Sequence, residues 1–164
     1  SFVAEAKKLS PYRHEVFTAE IKTYFAMLDF QNMIRVSEEC VAVDKNAAGC
    51  YWYLGLAQLM TEDQVAGKSN IQLAEQKGYS TTNIVSLSQL ALAYTQNENY
   101  AELAPIYKKL LDGDPKNADY RTTLAFIYKQ LGQYDNARAQ ALLVLKYYPE
   151  LKPQVDEFLN TLPK

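Results

Sequence analysis

From Leu87 onward the apolar positions recur at intervals of three and four: Leu87, Leu90, Ala91 and Tyr94, then, past "QNEN", Tyr100, Leu103, Tyr107, Leu110 and Leu111. That is the period of a helix with one buried face, and the pattern predicts two helices separated by a short polar break. A strand would need alternation at every second residue, and no stretch sustains it. The breaks carry residues that stop or start helices: "LGQ" at 131–133, and "DGDPKN" at 112–117 with Gly113 and Pro115. Thr82 or Asn83 is placed to cap the helix that follows. Pro105 falls near the start of a helix, where a missing N–H is tolerated best, with some distortion expected.

The same pattern returns. Displaced by 34 residues, Leu90 falls on Leu124, Ala91 on Ala125, Tyr94 on Tyr128, Tyr100 on Tyr134 and Pro115 on Pro149. Tyr51, Leu54 and Gly55 join the register if two residues are inserted in the "GYSTTN" turn, and Phe17, Tyr24, Phe30 and Cys40 take the corresponding places one step earlier. The expectation is four helix-pair repeats, 14–47, 48–83, 84–117 and 118–151, in one domain. Residues 1–13 fit the last third of another repeat, since Ala6 and Pro11 fall on Cys40 and Lys45 at the same offset. They read as the remnant second helix of a preceding repeat, which makes the chain the C-terminal part of a longer protein. Residues 152–164 read as a capping helix, with Pro153 in its first turn and Val155, Phe158, Leu159 and Leu162 on one face.

Composition narrows the partners. A net charge of -2, with neither sign forming a block, leaves no electrostatic footprint for a phosphate backbone and argues against a nucleic-acid partner. The longest apolar runs, such as "CYWYLGLA", fall far short of the roughly 18 residues a membrane span needs, so no direct membrane insertion of these residues is expected. Cys40 and Cys50 do not make a disulfide framework, and no metal-ligand spacing accompanies them. Cys40 sits on the core register and reads as a small buried hydrophobe. The compartment stays open, with the cytoplasm as the default.

Catalytic chemistry finds no foothold. His14 is the single histidine and has no serine or cysteine nucleophile in a recognisable arrangement. "AGKS" at 66–69 has the lysine and serine of a phosphate loop but lacks the upstream glycine. Glu38 and Glu39 are adjacent on a helix and cannot face one site. The expectation is a protein that is not an enzyme and uses no cofactor or metal.

The residues "LAxxY" at 90–94 with Tyr100, Tyr107 and Pro115, and "LAxxY" at 124–128 with Gly132, Tyr134, Ala137 and Pro149, resemble the tetratricopeptide repeat. The resemblance implies an all-α, right-handed α-solenoid that binds a protein or peptide. The wider pattern, including "SPYRHEVF", "YWYLGLA" and "PELKPQVDEFL", is similar to the repeat tails of bacterial O-antigen ligase or polymerase-like membrane proteins, which implies a tether to a surface-polysaccharide enzyme lying outside this chain. In such repeats the first helix of each pair lines a concave groove. Carried over, the groove residues are Thr18, Lys22 and Phe25, then Trp52, Leu56 and Leu59, then Ser88, Leu92 and Thr95, then Thr122, Phe126 and Lys129. Lys22 and Lys129 stand too far apart in sequence for a clamp on a peptide's terminal carboxylate.

Leu56, Leu92 and Phe126 occupy equivalent places and make an apolar stripe, which reads either as a seat for a segment with apolar anchors or as internal packing. The competing functional class is self-assembly, with exposed repeat edges stacking copies into dimers or filaments. The groove reading predicts that Leu56→Asp with Leu92→Asp abolishes partner binding while circular dichroism keeps its helical signal; collapse of that signal would assign the stripe to the core.

Overall fold

A computed structural model describes residues 14–61 and 63–163. The expected remnant helix at 1–13 lies outside these residues, as does the His14 side chain. The described residues form α1 (His14–Ala26), α2 (Phe30–Val43), α3 (Ala48–Met60), α4 (Gln64–Gln76), α5 (Ile84–Gln96), α6 (Tyr100–Gly113), α7 (Ala118–Gln130), α8 (Tyr134–Tyr147), a 3-10 turn (Pro149–Leu151) and α9 (Lys152–Asn160). Among the described residues the fold is all-α, built of successive antiparallel helix pairs. The described helices gather into two compact units, α1–α4 and α5–α9. Repeats of this kind touch only their neighbours, so a long connection such as 77–83 is a natural place for the division.

Local chemistry explains the elements. Asp29, Asp63, Asn83, Asn99 and Asn117 each accept a hydrogen bond from the third backbone N–H beyond them, which satisfies a donor that a helix start would otherwise leave open. The hairpin turn inside each pair closes in the same way. The N–H groups of Asp29, Asp63, Asn99 and Gln133 donate to the carbonyls of Tyr24, Gln58, Tyr94 and Tyr128, five residues back. This is the closing bond of a helix end that turns through a left-handed residue. Leu28 (φ 56°), Glu98 (φ 50°) and Gly132 (φ 70°) supply that residue, and only Gly132 is the type that adopts it freely. Pro105 is accommodated within α6, on its exposed side.

In the first unit α3 packs against α1, α2 and α4. It is buried on all sides, including the consecutive run Trp52–Ala57. Two glycines let α4 come this close. A Cβ on Gly55 would stand 2.8 Å from the carbonyl oxygen of Gly67, and one on Gly67 would stand 2.8 Å from the Leu59 side chain and 2.9 Å from its backbone nitrogen.

Cys40 and Cys50 are joined by a disulfide that closes the α2–α3 connection, with both residues fully buried. Cys40, expected as a small buried hydrophobe, is buried as expected, and it is bonded to Cys50. Helix pairing brings the last turn of α2 beside the first turn of α3, with Cα atoms 6.1 Å apart, within disulfide reach.

The second unit buries Leu87, Ala91 and Tyr94 of α5, Leu103, Leu110 and Leu111 of α6, and Leu124, Ile127 and Tyr128 of α7. α9 covers the end of the stack, where Val155 joins Ala141 and Val144, with Leu145, Leu151, Phe158 and Leu159 around them. Arg121 is the charged residue of this interior. Its Nε donates to the Pro115 carbonyl at 2.9 Å, one terminal nitrogen to Gln140 at 2.9 Å and the other again to Pro115, with the guanidinium over the Tyr147 ring.

Two stability tests follow from this packing. Gly67→Ala lowers stability in urea unfolding by about 1–2 kcal/mol, because the backbone it meets cannot yield and overpacking outweighs the helix propensity gained. Gly113→Ala, where a new Cβ meets nothing within 4 Å, does not carry this loss. Burial, and then the nearby carboxylate of Glu102, pushes the Tyr94 hydroxyl up to about 12. The unfolded chain gives up that proton from about pH 10 while the folded chain holds it, so stability falls as pH rises from about 10 to 12. A pH series of urea midpoints checks this, and Tyr94→Phe flattens its share of the decline.

Candidate functional site

The residues expected to line a groove divide between the two units, and the units treat them differently. In the first, Trp52, Leu56 and Leu59 are wholly enclosed. Trp52 stacks on Tyr79 with ring centroids 4.7 Å apart and an interplanar angle of 17°. Leu59 lies against Gly67. These three are core, which corrects their assignment to an exposed surface. The cause is the number of neighbours: a helix apolar nearly all round, as "CYWYLGLAQLM" is, finds cover when three other helices reach it. Of the α1 residues, Phe25 is half-buried with its ring 6.2 Å from that of Tyr53, Thr18 is half-buried, and Lys22 is exposed.

In the second unit the corresponding positions stay open. On α5, Ser88 and Thr95 are exposed and Leu92 is 41% accessible. On α7, Thr122 is exposed and Phe126 is 44% accessible. Phe126 is held edge-on to Tyr100 of α6, centroids 6.0 Å apart and planes at 73°, which fixes the ring while leaving one face to solvent. Helical geometry adds a residue that the repeat register did not suggest. Val85, 62% accessible, lies three residues before Ser88 and seven before Leu92, on the same face of α5. Its spacing from Leu92 was the available signal.

Polar groups on this face are already engaged. Thr95 donates to the Ala91 carbonyl and Thr122 to those of Ala118 and Asp119, so neither hydroxyl projects as a free donor. Lys129 donates to the Thr161 hydroxyl at 2.9 Å and lies over the Phe158 ring at 5.9 Å. The chain's own C-terminal segment thus occupies that end of the face. Beneath α9 is a cavity of about 250 Å³ lined by Thr122, Ala125, Ala141, Val144, Leu151, Gln154, Val155 and Phe158. Its walls are almost entirely hydrocarbon, suited to apolar contact and not to acid, base or nucleophilic chemistry.

Among the described residues no three His, Cys, Asp or Glu side chains converge as metal ligands would. No helix among them is long and apolar enough to cross a membrane.

The division of the stripe makes a sharp test. Leu56→Asp melts the first unit's helices, read by circular dichroism, because it places a carboxylate in a closed core. Phe126→Asp at a half-open position leaves the helical signal within about 0.5 kcal/mol of the parent's stability, as surface substitutions do.

Residues 87–160 match the tetratricopeptide repeat family model. Among solved structures the chain is similar to YrrB, described as a tetratricopeptide-repeat protein with an unusual peptide-binding site, at 12% identity and a TM-score of 0.70, covering 99% of this chain and 82% of that one. Two structures of MamA superpose nearly as well. One has a TM-score of 0.68 at 20% identity, covering 92% of this chain and 81% of the other. The second has 0.67 at 21%, covering 93% and 87%. No curated protein matches the chain in sequence.

Proposed function

We propose that this chain, a tetratricopeptide-repeat protein, is a non-catalytic scaffold that binds a protein segment through apolar anchors on the α5 and α7 faces of its second unit. The observation that carries the reading is the accessibility of Leu92 and Phe126 at groove positions, with Val85 on the same face of α5 as Leu92. Solvent-facing hydrocarbon of this kind tends to mark a place of interaction. A ring clamped by Tyr100 is a low-entropy anchor, since it loses little freedom when a partner covers it. Most of the hydroxyls on this face are turned back onto their own helices, so apolar contact supplies the recognition.

The peptide-binding site described for YrrB supports the same class of partner here. The wider resemblance to the tails of O-antigen ligase-like membrane proteins extends the proposal to context: a scaffold attached to a surface-polysaccharide enzyme, holding a partner near it.

A displayed library of random peptides, selected on the chain, tests the reading. Expected are sequences with two or three large apolar residues at helical or alternating spacing. Their binding by fluorescence anisotropy falls at least tenfold in Leu92→Asp with Phe126→Asp, with helical content unchanged. Enrichment of nothing, or binding indifferent to both substitutions, refutes it. A mass that climbs with concentration in light scattering, without any peptide, favours edge-stacked self-assembly instead.

A further inference from the structure

The connection between α2 and α3 has a counterpart 70 residues on, between α6 and α7, and comparing the two shows what the disulfide is for. Asp44 and Asp114 open the connections with nearly the same backbone, φ -135° and ψ 102° against φ -139° and ψ 81°. From there the chemistry diverges. After Asp114 comes Pro115, which stiffens the turn and suits the extended residue before it. Asn117 then caps α7 by accepting from the Tyr120 N–H at 3.0 Å. Arg121 holds the turn from beneath through the Pro115 carbonyl.

The first unit has none of these devices. Lys45 stands in the proline's place, Ala47 begins α3 with no side-chain cap, and Tyr51 replaces the arginine. What it has is the Asp44 carboxylate accepting from the Asn46 N–H at 2.8 Å, and a covalent bond at the two positions that in the second unit are Leu110 and Tyr120.

We infer that the Cys40–Cys50 disulfide stands in for the proline, cap and arginine missing from this connection, and that the chain is therefore built to fold in an oxidising compartment. The bond removes freedom from the unfolded chain over a loop of sequence separation 10, the same effect a proline has on a smaller scale. It forms by exchange: the Cys40 and Cys50 thiols pass two electrons and two protons to an external disulfide, such as that of a thiol–disulfide oxidoreductase, which leaves as two thiols. In compartments where the glutathione and thioredoxin systems keep thiols reduced, this bond is not expected to persist. Because both cysteines are fully buried, soluble thiols reach the bond only when the unit opens. The cytoplasm as default compartment is accordingly set aside in favour of an oxidising one.

The test is to produce the chain in a bacterium both with and without an export signal, and to titrate thiols after unfolding. Expected are no thiols in the periplasmic protein and two in the cytosolic one, whose first thermal transition lies about 10 °C lower or which fails to fold. Two thiols in the periplasmic protein, none in the cytosolic one, or equal melting of the two forms overturns the inference. Lys45→Pro with Ala47→Asn separates replacement from mere coincidence. The pair raises the transition of the thiol form, or of Cys40→Ala with Cys50→Ala, by several degrees; no rise refutes the assigned role.

Discussion

A helix of about 13 residues is marginal on its own in water, and pairing two leaves an apolar face still uncovered. Burial against the next helix is therefore the interaction on which every other feature of this chain depends. It explains why the turn within each pair is so constrained. Four times over, an N–H donates to the carbonyl five residues back, and that bond sets the angle at which the second helix returns along the first. Leu28 and Glu98 accept a left-handed backbone to keep it. A strained residue in a turn costs about 1–2 kcal/mol, less than an apolar face left without its neighbour.

The two units meet the requirement by different means. The first draws its helices into close contact, with Gly55 and Gly67 letting backbones approach where side chains would keep them apart, and fixes the connection before α3 with a covalent bond. The second relies on noncovalent devices: an asparagine cap, a proline, and an arginine whose buried charge is satisfied by a carbonyl, an amide and an aromatic face. A buried guanidinium is tolerable only because its donors are met, and meeting them ties three elements together.

The repeat was readable from the sequence because its signals lie close together along the chain. Leu90, Ala91 and Tyr94, and their counterparts at 124, 125 and 128, state both the helical face and the offset. The site was readable only in part. Leu56, Leu92 and Phe126 share one place in the repeat, yet Leu56 is enclosed and the other two are not. A period of three and four tells which face of a helix is apolar, not how many other helices arrive to cover it. The disulfide was illegible for a related reason. A separation of 10 residues in sequence says nothing until two helix ends are brought side by side.

That difference bears on how a repeat scaffold acquires a binding face. Position within the repeat offers every first helix the same opportunity, and the surroundings decide whether the side chain becomes core or contact. In α3 the residues around Leu56 are apolar too from Cys50 to Met60, Gln58 apart, so the helix is drawn inward and closed over. In α5 and α7 serines, threonines and a lysine flank Leu92 and Phe126, and those helices keep a solvated side. Such a side keeps a few large apolar groups open to solvent, with polar residues around them. The polar flanks are thus as much a part of the proposed binding face as Leu92 and Phe126 themselves, since a helix apolar nearly all round is closed over as α3 is.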